Sequence, residues 1–400
     1  LSDTPKYGSY DIVIIGGAIM GASTAWWLTQ LGFDGRILVI ERDPGYQSSS
    51  TAHTNSCIRQ QFSEQLNIRI SQFAAEFMGS LRAQMRDDRA PNLSVQNYGY
   101  LYLANTEAGA ETLRRNQSVQ LAAGTDTRLL SPEDIQKAYP FYALDDILLG
   151  SINTRDEGYW DGGTVFDWWR RSSQTRGVEY ICNEVVGFLR DSKGRRLETV
   201  ILRDGQQLHA GKIVNATGPR ADKTAQMAGL SLPVEPRKRY SWVFTAEHPL
   251  DRDLPLTIDP SGVHVRQDGP TTYLAGSKGT TDPAVEPDDF EMDHSLWETV
   301  VWPALAARIP QFEAVRIITE WVGHYAYNTL DQNAIIGPHP DLMNFYFLNG
   351  FSGHGLQQSP AMGRGMAELL MFDEYRSLDL LPFSFDRIVS GRPIVEASII

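Results

Sequence analysis

Two short stretches of this chain combine residue types that handle negative charge through the backbone. Gly16, Gly17, Ala18, Ile19, Met20 and Gly21 join an apolar β-branched run, Ile12 to Ile15, to a helical segment. A glycine-rich turn that opens a helix aims free N–H groups and the positive helix end at a pyrophosphate. Glu41 ends the next apolar run, where a carboxylate accepts hydrogen bonds from ribose hydroxyls. The middle position of G-x-G-x-x-G is Ala18, whose methyl takes room that hydrogen would leave. Far along the chain, Phe345 to Phe351 runs into Ser352-Gly353-His354-Gly355 and a helix from about Leu356 to Met371. Unpaired N–H groups near Gly355 and Leu356 stabilise negative charge, such as that on the N1 and C2 carbonyl of a reduced isoalloxazine. The bland alternatives are a core β-α-β unit with incidental glycines and a tight strand-helix corner.

The elements that hold these turns are read from periodicity. Residues 10 to 41 form a β-α-β unit, so the fold class is α/β, with a Rossmann-like dinucleotide domain. Arg42 opens the loop that follows, and the polar stretch from Gln47 to Ser63 leaves the carboxyl end of the second strand, the edge where open α/β sheets bind ligands. Residues 64 to 86 have helical spacing, and Tyr98 to Ala104 and Ile147 to Ile152 read as strands. That departs from β-α-β alternation and implies an inserted domain with an antiparallel sheet. Thr164 to Arg176 reads as a helix, Val178 to Cys182 and Lys212 to Gly218 as strands, and Pro233 to Thr245 with Thr271 to Gly276 as further sheet. Asp289 to Arg308 is predicted as a helix and Val315 to Tyr327 as a long strand. The expected division is 1–85, 150–230 and 325–400 for the dinucleotide domain, and 86–149 and 231–324 for the substrate domain.

The 400 residues, 42% apolar, suffice for two domains with substantial cores. The net charge of −13 argues against nucleic acid or an anionic membrane surface as partner. Cys57 and Cys182 are far apart, without metal-type spacing, so neither a disulfide framework nor a metal site is expected. With no signal-peptide pattern at the start and no run of membrane-spanning length, a cytoplasmic protein without a membrane span is expected.

Six segments resemble one family. They are IRQQFS (58–63), EGYWDGG (157–163), NATG (215–218), LPVEPRKRY (232–240), YNTLDQNAIIGPHP (327–340) and GFSGHGLQQSP (350–360). The family is that of FAD-dependent amine and amino-acid oxidoreductases, including D-amino-acid oxidase, glycine oxidase, sarcosine oxidase and dimethylglycine dehydrogenase. Within it, the likeness is greatest to the FAD-dependent oxidoreductase-domain branch linked to assembly of respiratory complex I. The resemblance implies FAD and oxidation of the C–N bond of a small secondary amine or N-substituted amino acid. Hydride passes to flavin N5, and the imine then hydrolyses. It also leaves open a flavoprotein whose role is partner binding or assembly, with catalysis vestigial.

By the same resemblance, the cofactor groove comprises Gly16 to Gly21, Glu41, Arg42, Ser49, Ser50, Thr51, His53, Val185, Ala216, Thr217, Gly218 and His324. It ends at Gly350, Phe351, Ser352, Gly353, His354, Gly355, Leu356 and Gln357. Arg59 matches the arginine that clamps the substrate carboxylate, its guanidinium suited to a two-pronged grip. The alternative is a surface arginine paired with Glu64. Lys278 falls near the place of a substrate-facing histidine, and Tyr325, Tyr327 and His354 lie beside the expected flavin face. The pattern departs at His324, where sarcosine-oxidase-like members attach flavin through a cysteine. A second covalent mode uses an S-T-x-H motif, which Ser50-Thr51-Ala52-His53 resembles, so His53 either carries an 8α-histidyl bond or packs near a noncovalent ring. Leu274 replaces an oxygen-activating lysine, which implies a protein or quinone as electron acceptor. Gln357 replaces a second carboxylate-binding lysine, which implies a substrate other than sarcosine.

Overall fold

The structure, a computed structural model, describes residues 2–397. Its first sheet grows outward from the strand Ser9–Ile15, which pairs in parallel with Ile37–Glu41 on one side and Gln207–Asn215 on the other. Glu179–Cys182 extends the first side and Phe345–Asn349 the second, both in parallel. Ile335–Pro338 pairs antiparallel at one end, and the hairpin Val185–Arg190 with Leu197–Leu202 is appended to Gln207–Asn215. Because chain order reverses across the central strand, a crevice opens at its carboxyl end. The apolar runs of these strands are almost wholly buried, as parallel strands covered on both faces must be.

Helix Ile19–Gln30 covers this sheet and is buried nearly all round, because helix Gly355–Phe372 lies against its outer side. Pro360, inside that second helix, cannot donate to the Leu356 carbonyl, and the Ser359 hydroxyl fills the gap at 2.7 Å. The neighbouring Pro360 carbonyl accepts from Trp27 Nε1 at 2.9 Å. Trp26, Trp27, Phe77 and Trp169 pack edge to face and tilted around the junction with helices Gln65–Gly79 and Gly162–Thr175.

The second sheet takes its strands from the remaining segments. Its order is Val315–Asn328, Val234–Ala246, Thr272–Ser277, His264–Gln267, Leu256–Ile258, Tyr100–Ala104, Leu149–Asn153 and Arg128–Leu130. Leu149–Asn153 straddles the boundary expected at residue 150, and Val315–Asn328 crosses the one expected at 325.

The helix predicted from Asp289 begins later. The segment up to His294 is irregular, and helical turns run from Ser295 to Arg308. The cause is local. Asp289 and Asp293 accept from the N–H groups of Glu291 and Ser295 two residues on, turns that compete with helix. Ion pairs then tie the segment down, Arg42 with Asp288 at 3.0 Å, Lys223 with Glu286 at 2.7 Å and Lys238 with Asp289 at 2.7 Å.

Candidate active site

One continuous cleft starts at the first glycine turn and ends at the second. At the first end, Gly16 has φ +95°, and a Cβ there would lie 2.5 Å from the Ala216 carbonyl oxygen. A Cβ at Gly21 would collide with the Gly16 carbonyl, so hydrogen at both positions lets the turn close onto the helix. Helix Ile19–Gln30 has no side-chain cap at Ala18, although Ile19 N–H donates to Thr51 Oγ1 at 3.3 Å. Its remaining first-turn N–H groups and dipole could hold a pyrophosphate.

Glu41 is buried, and its two oxygens accept from Gly17 N–H and Asp43 N–H, each at 2.8 Å. Burial pushes its carboxyl up from the usual carboxylate range, and those two N–H groups oppose the rise. Gly17 and Gly21 therefore act from behind the cleft wall, while Gly16, Ala18, Ile19, Met20, Glu41 and Arg42 line it. Val185, Ala216, Thr217 and Gly218 line the opposite side of this end.

Further along, the wall is the loop after Glu41. Ser49, Ser50, Thr51 and His53 all line the cleft, and Ser50 Oγ donates to the His324 carbonyl at 2.6 Å across the domain junction. His53 Nδ1 lies 3.0 Å from the Ser49 carbonyl, so Nδ1 carries a proton and donates it to that oxygen. His324 Nε2 lies 2.8 Å from the Asp289 carbonyl, and Phe290 is sandwiched between the two imidazoles, 5.5 Å from His53 and 4.3 Å from His324. Burial holds His324 below the ordinary imidazole range.

At the far end the strand Phe345–Asn349 turns through Gly350 and Ser352, both with positive φ, into helix Gly355–Phe372. This helix also lacks a side-chain cap. Its first residues, Gly355, Leu356 and Gln357, line the cleft with Phe351, Ser352, Gly353 and His354. Gly350 lies behind the wall, against Asn328 and Val234.

Arg59 is not a surface residue. It is 1% exposed, donates from NH1 to the Gln61 carbonyl at 2.7 Å, and lies 4.0 Å over the Phe62 ring. Its NH2 is 2.9 Å from His354 Nε2. Burial and this neighbouring cation hold His354 well below the ordinary imidazole range, so the ring is neutral and Nε2 accepts. The Gln357 side chain accepts from the Arg59 backbone N–H at 2.8 Å, so a neutral amide anchors the arginine loop where the resemblance implied a lysine.

Tyr325 lines the cleft over Gly353, with the Arg239 guanidinium 4.2 Å from its ring. Two sequence expectations need correction. Lys278 is exposed one residue beyond the strand Thr272–Ser277 and does not line the cleft. Tyr327, two residues along the strand from Tyr325, packs on Arg237 at 3.9 Å instead of lining the cleft.

The sequence reading missed Asn55, Cys57, Tyr100, Arg239, Tyr240 and His264, all on the cleft wall. Arg239 and Tyr240 lie within the LPVEPRKRY segment, a signal that pointed to the place without assigning a role. Asn55 Nδ2 faces His264 Nε2 at 3.0 Å. Burial and two nearby arginines push His264 down to about 4.

Two uncapped helix N-termini at opposite ends of one cleft, with a buried ribose-type acid beside the first, define a dinucleotide-dependent two-domain α/β protein. The comparisons with known proteins agree. The DAO family of FAD-dependent oxidoreductases matches residues 11–369, and the chain belongs to that family. It is 35% identical to FAD-dependent oxidoreductase domain-containing protein 1 of Bos taurus, over 98% of this chain and 87% of that protein. It is 24% identical to mitochondrial sarcosine dehydrogenase of Mus musculus, over 92% of this chain and 40% of that one. Among solved structures, L-proline dehydrogenase from P. horikoshii superposes with a TM-score of 0.83 at 25% identity, covering 96% of this chain and 99% of that one. The protein is thus an FAD-dependent oxidoreductase, and the cleft's chemistry fits the cofactor.

Proposed function

We propose that this enzyme oxidises the C–N bond of a small secondary amine or N-substituted amino acid that carries a carboxylate. The observation that carries the reading is a buried guanidinium, Arg59, beside the second glycine turn of the FAD cleft. Relatives that bear the names sarcosine dehydrogenase and L-proline dehydrogenase support the substrate class.

When bound, FAD supplies a two-electron acceptor for hydride. It would lie with its pyrophosphate at the Gly16 turn, its ribose at Glu41 and its ring between His53 and the Gly353 turn. Arg59 holds the substrate carboxylate, and the neutral His354 and the Gln61 carbonyl set the plane of its fork. His354 is already an acceptor for Arg59, so it orients and does not remove a proton from substrate. The N–H groups of Gly355 to Gln357, at an uncapped helix start, would offset negative charge on the reduced ring. Tyr325 covers the Gly353 turn and lines the cleft beside it. The amine must enter neutral, since a protonated nitrogen has no lone pair to support loss of hydride, and bulk water hydrolyses the imine.

Leu274, in place of the lysine implied by resemblance, is buried in the strand Thr272–Ser277. That supports transfer of electrons to a protein or quinone and not to oxygen. Among the described residues no helix is long and apolar enough to cross a membrane, and Cys57 and Cys182 are free. The test is anaerobic mixing of the holoenzyme with sarcosine, L-proline, N-carboxyalkyl amino acids and D-amino acids. Bleaching of the flavin band by at least one N-substituted amino acid is expected, with slow reoxidation in air. No bleaching by any carboxylate-bearing amine overturns the reading.

A further inference from the structure

Glu157, from the EGYWDGG segment, has 0% exposure and does not line the cleft. A carboxylate so placed must be compensated by hydrogen bonds or by charge. Its Oε1 accepts from Gln60 N–H at 2.6 Å and its Oε2 from Gln61 Nε2 at 2.9 Å. The same Gln61 side chain donates to the Tyr100 carbonyl at 2.9 Å and accepts from Ser151 Oγ at 2.9 Å, while its own carbonyl receives Arg59 NH1. A two-stranded ribbon, Cys57–Ile58 against Gly158–Tyr159, fixes the register between Glu157 and the residues that follow Arg59. The direction of the guanidinium fork is therefore set through Gln60 and Gln61 by one buried carboxyl.

That carboxyl also feels the guanidinium as a charge, which favours its ionised form. Tyr102 faces it from the strand Tyr100–Ala104, His354 stands behind Arg59, and Glu396 acts on Tyr102 from the C-terminal segment. The tyrosine is held far above neutrality and the imidazole is neutral, so neither changes charge between pH 6 and 9. Burial pushes Glu157 itself up to about 7.

We propose that Glu157 is the positioning residue of the Arg59 clamp, and that it takes up a proton from bulk water when an anion settles on the guanidinium. The physical reason is electrostatic: the guanidinium's field favours the ionised form of Glu157, and an anion settling on the guanidinium offsets part of that field, so the buried carboxyl takes a proton more readily. This rests on the reading that Arg59 binds the substrate carboxylate. Tighter anion binding at lower pH follows, because the protonated form of the site is the better receptor.

The test uses FAD-loaded enzyme and pyrrole-2-carboxylate, a carboxylate without a basic amine, followed by the flavin absorption band and by calorimetry in two buffers of different ionisation enthalpy. In the unaltered protein the Kd weakens roughly tenfold from pH 6 to pH 9, with net proton uptake on binding near pH 7.5. Glu157→Gln keeps its flavin and shows less than about twofold change over that range. Arg59→Lys weakens binding at every pH. A flat Kd and no proton uptake in the unaltered protein, with Arg59→Lys still weak, overturns the role of Glu157 alone. An unchanged pH profile in Glu157→Gln does the same. If Arg59→Lys binds normally, the reading of Arg59 itself fails. Should Glu157→Gln not fold, the titration and calorimetry of the unaltered protein decide.

Discussion

Replacing Gly353 by alanine tests the corner on which the flavin end of the cleft depends. Gly353 has φ +94°, and an added Cβ would overlap the Tyr325 ring and lie 2.7 Å from its phenol oxygen. The left-handed backbone costs an L-residue about 1–2 kcal/mol, and forcing a methyl into occupied space costs a further 1–3 kcal/mol, roughly. Gly353→Ala therefore destabilises by about 2–5 kcal/mol, read from urea midpoints at matched slope. The second term vanishes when Tyr325 is truncated, so in a Tyr325→Ala background the same change costs only about 1–2 kcal/mol. The turn also aims the first N–H groups of helix Gly355–Phe372, and weakening their grip on the reduced ring by about 1–2 kcal/mol lowers the two-electron potential by roughly 20–40 mV. Dye-coupled reduction measures this. An equal loss of stability in both backgrounds would refute the overlap of Gly353 with Tyr325. An unchanged stability in either would refute the left-handed turn.

Three further outcomes follow from the same geometry. Arg59→Lys keeps charge but loses the fork; with a charge-assisted hydrogen bond worth about 1.5–3 kcal/mol, kcat/KM for the substrate that bleaches the flavin falls roughly 10–100-fold at unchanged flavin content, checked by steady-state kinetics and absorbance. His53 lines the cleft with Nδ1 turned to the Ser49 carbonyl, so acid precipitation is expected to leave yellow colour in the pellet, and His53→Ala to release it to the supernatant; colour in the supernatant of the unaltered protein ends the covalent idea. Glu157 titrates at about 7 in the fold against 4.5 in the unfolded chain, so the folded state binds the extra proton between those values. Stability therefore falls as pH rises from 4.5 to 7, by about 3 kcal/mol, and Glu157→Gln removes that slope in urea melts at pH 5 and pH 8.

The two ends of the cleft were legible in the sequence because each is a local device. A strand, a turn with glycine where no side chain fits, and a helix whose first N–H groups lack a cap are all encoded within some twenty residues, whatever the rest of the chain does. Glu41 is readable for the same reason, since the strand delivers it at a fixed distance from the turn. Tyr327 shares a strand face with Tyr325 but lies farther along, over Arg237, and Lys278 lies just past the end of its strand; both went astray because how far along each strand the cleft reaches depends on how the second sheet docks on the first. The helix predicted from Asp289 starts late because Asp289 and Asp293 bond their own backbone and Asp289 pairs with Lys238, a partner brought in from a distant strand. Sequence alone thus determined the two glycine turns and the helix starts that follow them, because backbone conformation is a short-range property. Only the tertiary structure decided that Arg59 is buried, that His354 is neutral against it, and that Glu157 lies behind both, because burial and the charges it perturbs depend on residues hundreds of positions apart.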